Sequence, residues 1–78
     1  MMTLEQEHSD ALGAAFRASD DVAAWGLALQ YAWRRWPSPY TIAEARTGLA
    51  LARTNRAECE AKVRAAERAL IEAGEVVP

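Results

Sequence analysis

Residues 42–73 read IAEARTGLALARTNRAECEAKVRAAERALIEA, the longest patterned stretch in the chain. Ile42, Ala45, Leu49, Ala52, Arg56, Cys59, Val63, Ala66, Leu70 and Ala73 recur at alternating steps of three and four, which is the seam of a coiled-coil-like helix broken only by Arg56. A competing reading divides the stretch at Arg53-Thr54-Asn55, with Asn55 as N-cap and Glu58 as its capping partner. An unbroken register across a true break would be a coincidence, so one helix is expected, roughly 48 Å long at 1.5 Å per residue. Gly74 is placed to close it and residues 75–78 to follow as a tail.

Upstream lies Trp36-Pro37-Ser38-Pro39-Tyr40. Each proline removes a backbone donor and turns its predecessor away from helix, so a boundary is expected here. Thr41 and Glu44 then have the spacing of a capping box that starts the long helix. Before the prolines, Thr3 and Gln6 mark a first helix over about 4–18, and Ser19-Asp20-Asp21 can cap a second over about 21–36. His8 lies on the apolar stripe of the first, as a packed, hydrogen-bonded residue. Val22, Trp25, Leu29, Ala32, Trp33 and Trp36 would place the tryptophans on one face of the second. Glycines 13, 26 and 48 each cost about 1 kcal/mol inside a helix and are candidate points of close helix contact. The expected fold is all-α: a helical hairpin plus one long C-terminal helix, a small helical bundle forming a single domain over 1–78.

A chain of 78 residues buries a thin core. Its one cysteine, Cys59, cannot form an internal disulfide, and with the one histidine it cannot supply a structural zinc site. Burial against another chain is the remaining source of stability, and a homodimer is expected with Leu49, Ala52, Cys59, Val63, Ala66 and Leu70 at its interface. Cys59 reads as a small apolar filler, with a disulfide across the dimer axis as the sharper alternative.

A net charge of −2 does not favour phosphate binding. Lys62 is the single lysine among nine basic residues, a bias typical of GC-rich bacterial or phage coding. The acidic start lacks the layout of a signal peptide and no apolar run is long enough to span a bilayer, so a cytoplasmic location is expected. The motif inventory offers no phosphate loop, no catalytic triad and no metal spacing, so neither an enzyme nor a cofactor is expected. Glu58, Glu60, Lys62 and Arg64 alternate as on a solvated helix face.

Arg34, Arg35, Trp36 and Tyr40, extended by Arg46 and Arg53, have the composition of a protein-binding hot spot. The alternative is a DNA-binding regulator using the segment from Arg46 to Arg56, which lacks intervening acid. Thr41-Ile42-Ala43-Glu44-Ala45 followed by Ala69-Leu70-Ile71-Glu72-Ala73-Gly74-Glu75-Val76-Val77 resembles in outline a winged helix-turn-helix domain, which would imply DNA recognition. The stretch between the two parts is longer than that family's compact turn, and residues 75–78 leave no room for a two-stranded wing. The expected function is therefore a small non-catalytic protein-interaction module, of the regulator or inhibitor type found in phages and mobile elements, that occludes or bridges another protein.

Overall fold

Two helices of nearly equal length account for the fold: α1 spans Leu4–Trp33 and α2 spans Ile42–Glu72. A computed structural model describes residues 2–74. The helices pack as an antiparallel hairpin, an all-α fold measuring 54 × 22 × 15 Å. Its radius of gyration is 16.7 Å, against roughly 11–12 Å for a compact domain of this length. The molecule is a rod two helices wide.

Thr3 caps α1 through a complete capping box, its hydroxyl accepting from the Gln6 backbone N–H at 3.1 Å while the Gln6 side chain accepts from the Thr3 N–H at 2.9 Å. Thr41 caps α2, accepting from the Glu44 N–H at 3.1 Å. The second cap differs from the expected box, because the Glu44 carboxylate accepts from the Thr41 hydroxyl at 3.1 Å. Residues 45–69 run without interruption inside α2, so the single long helix holds and neither a break at Asn55 nor the layout of a winged helix-turn-helix is present. The expected tail, 75–78, lies outside the described residues.

The expected break at Ser19-Asp20-Asp21 does not occur. Leu4, His8, Ala11, Ala15, Ala18, Val22, Trp25, Leu29 and Ala32 hold steps of four and three through it, and Ala18 is buried at 2% exposure directly beside the three polar residues. Serine and aspartate in a helix interior each cost about 0.5 kcal/mol, less than interrupting a continuous buried seam. All three face solvent. The predicted helices of 4–18 and 21–36 are thus one helix, which ends at Trp33 and leaves Trp36 in the loop.

This correction changes the role of the α2 seam. With 30 residues in α1 and 31 in α2, the second helix does not outreach its partner. Ala45, Leu49, Ala52 and Leu70 are buried, and Cys59, Val63 and Ala66 are half-buried, within one chain. The set assigned to a dimer interface is the hairpin's own core, and Cys59 lies on it rather than on an exposed axis. That core is thin: among the described residues no large side chain is fully buried, while Phe16, Trp33, Leu51 and Ile71 are each at least 65% exposed.

Candidate interaction surface at the loop end

The link between the helices begins with a Schellman turn. Arg34 is the C-cap of α1, the Arg35 N–H donates to the Ala32 carbonyl at 3.2 Å, and the Trp36 N–H donates to the Tyr31 carbonyl at 2.9 Å. Arg35 takes the left-handed conformation, φ 58°, at the position where glycine is usual. The apolar contact that accompanies this motif is made by Tyr31 and Trp36, with ring centroids 5.4 Å apart. The Arg34 guanidinium lies over the electron-rich face of the Trp36 ring, 5.3 Å from its centroid. Ser38 then ties down the second half of the loop, donating to the Tyr40 carbonyl and accepting from the Tyr40 N–H, both at 3.2 Å.

Tyr40 packs on Trp25 at 4.7 Å. Trp25 in turn occupies the space that a side chain on residue 48 would need: a Cβ at Gly48 would fall within 2.6 Å of the indole Cζ3. Of the three glycines singled out as candidate close contacts, Gly48 is one. Gly26 has open space around it, and Gly13 meets only the tip of Arg17 at 3.4 Å.

On the opposite side of the seam, the Arg46 guanidinium lies 5.6 Å from the Trp33 ring. Trp33, Arg46, Gly26, Leu29, Gln30 and Leu49 line a groove of about 380 Å³. The anticipated patch is therefore two arginine-on-tryptophan pairs around the loop rather than one continuous surface. Arg34 and Trp36 form the first and Arg46 and Trp33 the second. Tyr40 bridges back to Trp25, and Arg53 lies exposed farther along α2. The tryptophans do not share a face, since Trp25 belongs to the seam while Trp33 and Trp36 are 65% and 51% exposed. Trp33 is a surface anchor that the apolar stripe of the sequence conceals, since it falls there at the same spacing as the seam residues. Its neighbours Gly26 and Gln30 were the available signal that this stripe is not core.

In the segment considered for nucleic acid, Arg46 and Arg53 share one flank of α2 and Arg56 lies apart from them at the seam. Arg46 stacks on Trp33, Arg53 is exposed, and Arg56 is half-buried at the seam with Nε 3.8 Å from Glu60 Oε1. At the far end of the rod His8 Nε2 lies 3.4 Å from Glu67 Oε1, joining the start of α1 to the end of α2. Among the described residues no group of three or more histidine, cysteine, aspartate or glutamate side chains converges, and no helix is long and apolar enough to cross a membrane.

These features define the class of the molecule as an antiparallel two-helix hairpin with an aromatic and arginine-rich loop end. No family model, no curated protein and no solved structure matches the chain.

Proposed function

We propose that the chain is a non-catalytic protein-interaction module of the cytoplasm, a small regulator or inhibitor that occludes or bridges the surface of a partner protein. One observation carries this reading: exposed tryptophans at the loop end are held in place by stacked arginines. Trp33 and Trp36 each offer a large apolar face whose position is set before binding, so little side-chain freedom remains to be lost on association. Tryptophan and arginine dominate the energetics of protein interfaces. Arginine also pairs with carboxylates in a planar geometry that lysine does not reproduce.

The test is affinity capture from the native host with the wild type and with Trp33→Ala and Arg34→Ala variants, melting temperature and helicity serving as controls of folding. Loss of a specific partner by variants that keep their melting temperature supports the reading. Retention of full binding by both variants overturns it, as does salt-dependent binding of the wild type to random duplex DNA as its main interaction.

A further inference from the structure

The seam leaves two broad faces on the rod, and they differ in chemistry. One contains Trp33 and Arg46, already in contact. At helical spacing the same face continues on α1 through Leu12, Phe16, Ser19, Ala23 and Gly26, with no charge among them. On α2 the residues flanking the seam on this side recur every seven positions as Arg46, Arg53, Glu60 and Glu67. In this register the half near the loop is basic and the half near the open end is acidic, with Arg64 farther out beside Glu60. Acidic residues outnumber basic ones on the opposite face, where Glu7, Asp10 and Lys62 line one groove and Arg17 and Asp21 another.

We propose that the occupant of the first face is a second copy of this chain, stacked with its helices antiparallel about a two-fold axis through the middle of the rod. The sequence order of the charges argues for that partner and that orientation. An axis crossing α2 between Arg56 and Ala57 sets Arg46 opposite Glu67 of the second copy and Arg53 opposite its Glu60, and by symmetry makes each pair twice. A two-fold axis along the rod would instead set α2 over α1 of the second copy, so that Arg46, Arg53, Glu60 and Glu67 would meet Trp33, Gly26, Ser19 and Leu12 and find no opposite charge.

At the same level the axis crosses α1 between Arg17 and Ala18, near the exposed Phe16. The two Phe16 rings then meet beside it, Phe16 also covers Ser19 of the second copy, and Leu12 faces its Ala23, so large side chains meet small ones. Every neighbouring helix pair in the resulting four-helix bundle is antiparallel. A face 54 Å long and 22 Å wide offers more than the roughly 800 Å² per partner that a standard interface buries.

The inference deepens the reading of the chain as an interaction module by naming one partner. It concerns the flank of the rod, which includes Trp33 and Arg46, and leaves the turn itself, with Arg34 and Trp36, to a different protein. Sedimentation equilibrium of the purified chain tests it. The wild type is expected to dimerise, with association complete by about 100 μM. Phe16→Asp, at a position 69% exposed and so dispensable for the hairpin, is expected to weaken dimerisation at least about tenfold with helicity intact.

The charge order is tested by two double variants, Arg46→Glu with Arg53→Glu, and Glu60→Arg with Glu67→Arg. Each alone is expected to be monomeric, and an equimolar mixture is expected to recover a heterodimer. A monomeric wild type overturns the proposal, as does undiminished dimerisation of Phe16→Asp or a mixture that associates no better than its components. Arg34→Ala is expected to leave dimerisation unchanged while impairing capture of a different protein, so the two readings fail separately.

Discussion

Two glycines in helix interiors carry opposite predictions, and the difference lies entirely in what stands opposite each. At Gly48 an added methyl group meets the Trp25 ring, whereas at Gly26 it meets nothing within 4 Å. Gly48→Ala should therefore destabilise the hairpin by about 1–2 kcal/mol, because overpacking of about 1–3 kcal/mol outweighs the gain in helix propensity. Gly26→Ala should stabilise it by up to about 1 kcal/mol through propensity alone. Chemical denaturation followed by circular dichroism reads both, and equal effects would refute the packing argument. Arg35 offers a third case. A side chain held at φ 58° bears a left-handed strain of about 1 kcal/mol that glycine would not. Arg35→Gly should therefore raise the midpoint of thermal unfolding by several degrees, and an unchanged or lowered midpoint would refute the strain. The sequence marks both glycines as candidate close contacts but does not tell them apart, because what stands opposite each is set by the register of the two helices.

At the scale of the elements, the four-three periodicity was the decisive signal and local capping chemistry the distracting one. The same spacing that keeps α2 whole past Asn55 also runs through α1 from Leu4 to Ala32. It passes unnoticed there when Ser19-Asp20-Asp21 is read as a cap. A cap is worth about 1 kcal/mol and only at a helix end, so it cannot create an end where burial continues on both sides. Asp20→Ala separates the two pictures by sign. In a helix interior it should stabilise by about 0.5 kcal/mol, and at an N-cap it should cost about 1 kcal/mol. The proline boundary was readable, because the physics of Pro37 and Pro39 is local. The loop-end geometry was not, since it depends on which turn Arg35 closes and on how far α1 runs before it. Arg34 lies over Trp36, and the separation of Trp36 from Trp33, which the sequence reading put on one helical face, follows from the helix ending at Trp33.

The whole molecule is a thin rod, and its energetics and folding both follow from that shape. Leu70 is 4% exposed in a core otherwise dominated by alanine, so Leu70→Ala should cost about 2–5 kcal/mol and remove most of the stability of a domain this small. Loss of cooperative unfolding in the variant would register it, and a change under about 1 kcal/mol would show the core to lie elsewhere. The contacts along the rod also differ in how much chain each must gather. Trp33 and Arg46 close only the loop between them, Trp25 and Gly48 a somewhat longer segment, and His8 and Glu67 nearly the whole chain. Loop-closure entropy rises with the length enclosed, and contacts close in sequence form sooner. The hairpin should accordingly zip from its turn toward its open end. In stopped-flow kinetics Gly48→Ala is then expected to act mainly by slowing refolding, and Leu70→Ala mainly by speeding unfolding. The indole that wedges against a missing side chain at residue 48 thereby acquires a role in time, as the clasp from which the two helices of the rod are drawn together.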